Sequence, residues 1–171
     1  MKGPITFSPL GILRSLPWPY VPNLAHPDKE IVQAGVLLPI SYESSGLSVV
    51  LTRRSLRVAQ HKDEMCFPGG VKEPSDSDIQ RTALREAFEE LGIIPDDVKI
   101  VGQLHPVSTN SGFQIWPVVG YIPSCYRFQI NSDEVSEVIE VPLSAFRSEG
   151  GFRQDAVLED VSLRKRYSFV Y

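Results

Sequence analysis

The sequence predicts an α/β domain in which one amphipathic helix packs against a β-sheet of several short strands. After residue 30, short apolar runs alternate with Gly, Ser and Asn turn signals, a pattern typical of strands. Residues 77–92 instead repeat their apolar side chains with helical spacing. No internal repeat is visible, and the length of 171 residues suits a single domain.

Composition excludes several classes of protein. The chain carries 17 Lys and Arg against 21 Asp and Glu, a net charge of −4, whereas a nucleic-acid-binding protein needs a basic face. No apolar run approaches the roughly 20 residues of a membrane helix. Prolines interrupt the first 20 residues, so no signal peptide is predicted. Cys66 and Cys125 lack metal-type spacing and are expected to be reduced thiols. We therefore expect a cytoplasmic protein that binds neither nucleic acid nor membrane.

The chain is predicted to divide into an N-terminal extension, residues 1–30, and a domain over residues 31–171. Three prolines within residues 17–22 cannot donate backbone hydrogen bonds, so this stretch can form neither helix nor central strand. We expect an extended segment that packs Trp18 and Tyr20 onto the domain. A proline motif that binds a partner is the alternative.

The strands are predicted from apolar runs bounded by turns. Residues 34–40 and 46–52 should form a hairpin across a Ser/Gly turn. Residues 142–148 suggest a short helix. The remaining strands are expected at residues 98–107, 113–122, 136–141 and 162–171.

The helix has predicted signals at both ends. Ser77 and Gln80 have the spacing of a capping box, and Gly92 stands where a left-handed C-terminal cap is expected. An apolar stripe runs between them and predicts packing on the sheet. It consists of Ile79, Ala83, Ala87 and Leu91, flanked by Leu84 and Phe88.

Three carboxylates share one side of this helix. Helical spacing places Glu86, Glu89 and Glu90 within an arc of roughly 100°, with Glu90 at the edge of the apolar stripe. Such a string alone is most simply a solvated acidic face. The preceding Arg85 and the upstream Gly69-Gly70 turn favour a different interpretation. Convergent carboxylates repel one another, and a hard cation such as Mg²⁺ or Mn²⁺ relieves that repulsion.

These residues resemble the Nudix box, G-x5-E-x7-R-E-U-x-E-E-x-G-U with U aliphatic. Residues 85–93, REAFEELGI, fit this pattern except that Ala87 is small for U. The front half departs, because Gly70 precedes Arg85 by fifteen residues instead of fourteen. Ser77 holds the position of the first Glu, and Asp76 is the nearest acid.

The longer loop is similar to that of the coenzyme A pyrophosphatase branch of the family. The upstream signature of this branch is also present, as LTRRS at residues 51–55 and FPGG at 67–70. Two signature positions fail, because its second Arg is Ala59 here and its Gly is Asp63. The residues that can replace that Arg are Arg57, His61 and Lys62.

The resemblance, over residues 32–143, implies a mixed β-sheet sandwiched by helices. The C-terminal helix that members usually carry is missing before Tyr171, so one sheet face is expected to be thinly covered and a homodimer is a candidate assembly. It also implies Mg²⁺- or Mn²⁺-dependent hydrolysis of a small nucleoside diphosphate derivative. Coenzyme A or an acyl-coenzyme A leads, giving 3′,5′-ADP and 4′-phosphopantetheine or its acyl form.

The resemblance assigns roles to carboxylates on the helix and beyond it. Glu86 and Glu90 are the first metal ligands, and the backbone carbonyl of Gly70 is a further candidate. Glu89 is a third ligand or the general base. Glu134 is a second candidate base, with a solvated loop charge as the equal alternative.

Four other assignments concern positioning and substrate. Arg85 is expected to orient the carboxylates through ion pairs. Arg53 or Arg54, at a strand end near the Gly-Gly turn, can hold a phosphate by bidentate hydrogen bonds. Phe113 can stack on a base or serve as a core aromatic.

Two alternative functions stay open. Ala59 and Asp63 allow another Nudix specificity, such as ADP-ribose, NADH or an oxidised nucleotide. The missing final helix allows a module that binds a nucleotide without cleaving it, although such a sensor has little use for the mutual repulsion of three glutamates.

Overall fold

The structure is a computed structural model. It describes residues 31–43, 46–59, 62–109, 111–147, 152–159 and 162–169. The predicted extension with Trp18 and Tyr20 lies outside the described residues, as does His61. No helix in the described part of the chain is long and apolar enough to cross a membrane.

The predicted α/β class is confirmed, because the described residues contain strands and one α-helix, α1 (Ile79–Leu91). Short 3₁₀ turns occur at Pro95–Asp97 and Ala145–Arg147, the second in place of the short helix expected at 142–148. The strands are β1 (Val32–Glu43), β2 (Gly46–Arg54), β3 (Met65–Cys66), β4 (Gly69–Val71), β5 (Lys99–Gln103), β6 (Val107–Ser108), β7 (Phe113–Tyr121), β8 (Val135–Pro142), β9 (Phe152–Glu159) and β10 (Ser162–Phe169).

Eight strands form one mixed sheet. Its central order is β3-β2-β1-β7-β5, with β4 paired to β1, β6 to β7 and β8 to β2. The β1–β7 pairing is parallel, whereas the other pairings are antiparallel. Strands β9 and β10 form a separate antiparallel pair.

Helix α1 packs against β1, β4 and β7 through its predicted apolar stripe. Ala83, Ala87 and Leu91 of this stripe are fully buried, but Phe88 at its flank is exposed. The surrounding core comprises Leu37, Val50, Ile93, Val118, Ile122 and Val135. The helix therefore has a fixed face toward the sheet, and its carboxylates lie at the border of that face.

The ends of α1 differ in how well the sequence predicted them. The N-terminal cap is Asp78, not Ser77, because the Asp78 side chain accepts a hydrogen bond from the Arg81 backbone N–H at 2.8 Å. Asp is as good a cap as Ser, so the pattern allowed either position. Gly92 is the predicted left-handed cap, with φ 68°, and its N–H donates to the carbonyls of Ala87 and Phe88.

Candidate active site

The register of the sheet brings three elements to one place. Strand β2 pairs with the second half of β1, with Ile40 opposite Val49. Extending that register brings Arg54 level with Gly35. On the other side of β1, Gly35 pairs with Gly70 of β4. Helix α1 packs on β1 and β4 at this level. Side chains from β2, β4 and α1 therefore meet at the point where β2 diverges from β1.

Glu90 is the buried carboxylate of this site, only 2% exposed. Its Oε2 is buried without a hydrogen-bond partner, and its Oε1 lies 3.9 Å from Nη1 of Arg54. The Gly69 backbone N–H also donates to the carboxylate. Burial, followed by the charges of Glu86 and Glu134, raises the pKa of Glu90 to about 8. An orphaned oxygen on a carboxyl that resists ionisation marks a position suited to a cation.

Glu86 lies directly against Gly70. A Cβ on Gly70 would come within 2.4 Å of Glu86 Oε1, so a larger residue there would displace the Glu86 carboxylate from its present position. Burial raises the pKa of Glu86, and the charges of Glu89 and Glu134 act in the same direction, while Arg85 opposes them. Glu86 and Glu90 thus form a pair of carboxylates that share a need for positive charge.

Arg85 connects α1 to the preceding loop. Its Nε and Nη2 donate to the two carboxylate oxygens of Asp76 at 3.1 and 3.0 Å, and Nη2 also donates to the Val71 carbonyl. Its Nη1 donates to Glu86 at 2.9 Å and to Glu89 at 3.0 Å. Because all three of its nitrogens donate hydrogen bonds, the guanidinium is held in one orientation next to the carboxylates.

Asp76 is a site residue that the sequence pointed to as an acid near the motif but to which it assigned no role. It is buried, accepts from the Glu73 backbone N–H, and its pKa is lowered to about 2, first by the hydrogen bonds from Arg85. The one available signal was its place near the missing first Glu of the motif. In this structure Asp76 contacts Arg85 through both of its carboxylate oxygens.

Glu134 approaches the site from the segment before β8. Its backbone carbonyl accepts from the Ser55 N–H at 2.8 Å, which ties it to the end of β2. The Asn131 side-chain amide donates to Glu134 Oε1 at 3.0 Å. Its charge raises the pKa values of both Glu86 and Glu90, so the structure brings this carboxylate close to the pair.

Other predicted residues are less centrally placed. Glu89 is 49% exposed on its side chain and is paired with Arg85. Arg53 is bound to Glu137 at 3.0 Å and to Asp63 at 3.4 Å. Phe113, half-buried, begins β7 opposite Val32 of β1, three residues before Gly35 and so roughly 10 Å along the strand.

The carboxylates fit a cation that brings some of its own ligands. Within the described ranges, no three His, Cys, Asp or Glu side chains are close enough to hold a metal ion by themselves. Mg²⁺ normally uses one or two carboxylates together with water and substrate phosphate. Glu86 and Glu90, with the buried and unpartnered Oε2 of Glu90, match that smaller requirement.

One described cavity lies beside this site and does not include its carboxylates. It has a volume of about 340 Å³ and is open to solvent. Lys72, Glu73 and Pro74, in the loop before α1, form one wall, and Val32 and Gln33 of β1 form another. The carboxylates, and not this cavity, therefore define the candidate active site.

Comparison with known proteins agrees with this architecture. Residues 32–161 match the profile of the NUDIX domain. The chain therefore belongs to the Nudix family, and the predicted family is confirmed. An uncharacterized Nudix hydrolase, NudL, of Pectobacterium atrosepticum is 43% identical over 123 residues, which are 72% of this chain and 64% of that protein. The NudL of Salmonella paratyphi B is 38% identical with the same coverage.

Solved structures share the fold at low sequence identity. An Ap4A hydrolase of C. elegans, crystallised as a binary complex, has a TM-score of 0.55 and 17% identity over 67% of this chain and 82% of its own. The NUDIX domain of Shewanella oneidensis NrtR, solved with ADP-ribose, has a TM-score of 0.52 and 21% identity over 82% and 87% of the two chains. These likenesses establish the mixed-sheet fold.

Proposed function

We propose that this chain is a metal-dependent pyrophosphohydrolase that cleaves a nucleoside diphosphate linked to a second group. The observation that carries the proposal is the buried Glu90, whose Oε2 has no hydrogen-bond partner and whose pKa is raised in part by the charge of Glu86. Burying a second carboxylate beside a first one costs folding free energy unless a cation compensates for it. A Mg²⁺ or Mn²⁺ ion would supply that charge. Cytoplasmic location is part of the proposal, as the sequence suggests.

The residues take roles that follow from their contacts. Glu86 and Glu90 would hold the cation, with the Gly70 carbonyl as a further ligand. When bound, such an ion neutralises the diphosphate and lowers the pKa of an attacking water. Arg85 keeps Glu86 and Glu89 in place through the contacts described above.

Glu134 is the better placed of the two candidate bases. Its charge acts on both Glu86 and Glu90, and Asn131 fixes one of its oxygens. Glu89 lies on the exposed side and shares Arg85 with Glu86. We therefore assign proton removal from water to Glu134, while Glu89 stays paired with Arg85.

Coenzyme A or an acyl-coenzyme A is the proposed substrate. The longer loop before α1 and the LTRRS and FPGG segments support this branch of the family. Asp63, in place of the Gly of the signature, has φ 63°, a left-handed conformation that Gly adopts freely and Asp tolerates. Arg57 lies 2.8 Å from Asp133, the residue that precedes Glu134. It can therefore supply the positive charge missing at Ala59. Arg54 and Phe113 remain candidates for phosphate and base.

A hydrolysis panel tests the proposal. The chain is incubated with Mg²⁺ and then Mn²⁺ and with coenzyme A, ADP-ribose, NADH or 8-oxo-dGTP, and the products are separated by chromatography. We expect 3′,5′-ADP from coenzyme A. Glu90→Gln should lose about 100-fold or more of the activity, because even the replacement of a residue that supports a metal ligand lowers activity 10–100-fold. Glu140→Gln, an exposed position on β8, carries the same chemical change and should retain activity.

The other outcomes separate the alternatives. Cleavage of ADP-ribose, NADH or the oxidised nucleotide instead would keep the chemistry and overturn the substrate. A folded protein that binds these compounds and cleaves none would overturn hydrolysis in favour of a nucleotide-binding module.

A further inference from the structure

We propose that Arg54 provides the positive charge next to the Glu90 carboxyl in the metal-free protein and competes with the divalent cation for this position. Metal binding then releases the Arg54 guanidinium, which becomes available to a phosphate of the substrate. The inference rests on the proposed metal site at Glu86 and Glu90, and it adds an order of events to that site.

The contact between Arg54 and Glu90 is a weak one for two largely buried polar groups. The Nη1–Oε1 distance of 3.9 Å exceeds hydrogen-bond range, which ends near 3.2 Å. Arg54 Nε and Glu90 Oε2 are both buried without a partner. The pair therefore leaves one donor and one acceptor unsatisfied, and each is costly to bury in that state. A cation at Oε2 relieves the acceptor, and a phosphate relieves the donor.

Neighbouring arginines show what a committed structural pair looks like in this protein. Arg85 binds both oxygens of Asp76 at 3.0–3.1 Å, and Arg53 binds Glu137 at 3.0 Å. Among the described residues, Glu90 is the one carboxylate within 4.0 Å of Arg54. Arg54 is thus the guanidinium near the site with the fewest contacts to lose when it moves.

A metal ion and the Arg54 guanidinium cannot share Glu90 without cost. Two positive charges held a few ångströms apart repel each other, and the repulsion is strong where solvent is largely excluded. Glu90 is 2% exposed, so little water is present to screen them. By linkage, a group that the cation displaces lowers the cation's affinity, and removal of that group raises it.

Titration of Mn²⁺ into the metal-free 171-residue chain, followed by the electron paramagnetic resonance of free Mn²⁺, tests this without turnover. Arg54→Met should bind Mn²⁺ about fivefold more tightly than wild type, the size expected for removal of one competing, partly buried positive charge. Arg54→Lys keeps the competing charge and should stay near wild type. Arg53→Met is the matched control, because the neighbouring arginine is paired with Glu137 and should leave Mn²⁺ affinity within about twofold.

A gain of affinity cannot come from a damaged fold, so the sign of the change decides the matter. Arg54→Met binding Mn²⁺ as wild type does, or more weakly, overturns the inference, because a residue that merely organises Glu90 would give that result. If circular dichroism shows Arg54→Met to be unfolded, Arg54→Gln replaces it, with the same expected gain and the same contradicting result.

The same titration distinguishes this inference from the proposed function. Wild type that binds Mn²⁺ and loses it in Glu90→Gln supports the metal site, whatever Arg54→Met does. Wild type that binds no Mn²⁺ overturns the metal site and the competition together. Binding through Glu90 with no gain in Arg54→Met overturns the competition alone.

Discussion

Glu90 occupies a helix position that packing alone would give to an apolar side chain. Its neighbours along the buried face, Ala87 and Leu91, are completely covered. A carboxyl there forfeits hydration and receives only one backbone hydrogen bond and a distant guanidinium in return. The chain thus accepts a stability cost at this residue, which is the usual sign of a side chain kept for chemistry.

This cost should appear as a pH dependence of folding in the absence of metal. The Glu90 pKa is raised from its ordinary 4.5 to about 8, so the folded state holds an extra proton between these values. The free energy of unfolding therefore falls by roughly a few kcal/mol as pH rises through that window. Glu90→Gln should remove this slope and exceed wild type in stability increasingly from pH 5 to pH 8.

Urea unfolding in EDTA at several pH values measures the effect. Glu140→Gln, which alters an exposed carboxylate, should follow the wild-type slope. A stability difference between wild type and Glu90→Gln that stays constant across this range would contradict the burial argument.

At the scale of single residues, the sequence predicted which side chains belong to the site better than it predicted their surroundings. Helical spacing placed Glu90 at the edge of the apolar stripe, where it is found. Local patterns did not predict the surroundings of Arg53, because its main partner, Glu137, lies 84 residues away in sequence. Long-range pairs of this kind are set by the sheet register, which local patterns do not encode.

The loop between β4 and α1 is the element that fixes the carboxylate-bearing helix. Asp76 braces Arg85, and Asp78 caps the helix. Removing Asp76 leaves a largely buried guanidinium without its main partner, whereas removing Asp78 costs only a cap. We expect Asp76→Ala to lose about 3 kcal/mol of unfolding free energy and Asp78→Ala about 1 kcal/mol.

Urea titrations at pH 7 compare the two variants. The pKa of Asp76 is depressed to about 2, so its contribution is complete above its ordinary value of 3.8 and disappears as pH falls through about 2. The gap between Asp76→Ala and wild type should therefore narrow in acid. Equal losses in the two variants at neutral pH would mean that the brace is no stronger than a cap.

Among the elements, length and local pattern decided what could be predicted. The long strands β1, β2, β7 and β8 and the helix were predicted because each has several residues of clear periodicity. Strands β3 and β4 were missed since they have only two and three residues and surround Pro68. Strand β9 was missed because charged residues interrupt it, and the predicted strand at 98–107 is divided into β5 and β6.

At the scale of the whole molecule, the proposed site joins parts of the chain that are distant in sequence. Arg54 comes from β2, Gly70 from β4, the glutamates from α1 and Glu134 from the segment before β8. The main chain reinforces this assembly, because the Asn131 N–H donates to the Glu90 carbonyl and the Gln129 N–H to that of Leu91. Anything bound at Glu86 and Glu90 therefore stabilises contacts between these elements, and unfolding must release it.

Metal should accordingly raise the thermal stability of the entire domain. At a free Mn²⁺ concentration 100 times the dissociation constant, mass action adds about 2.7 kcal/mol. For a chain of this length that raises the unfolding temperature by about 5 to 10 °C. Scanning calorimetry with Mn²⁺ and then with EDTA measures the shift, and Glu90→Gln should largely lose it while Glu140→Gln retains it. An equal shift in Glu90→Gln would place the bound metal elsewhere, because a carboxylate at the centre of the site cannot be removed without weakening a cation that depends on it.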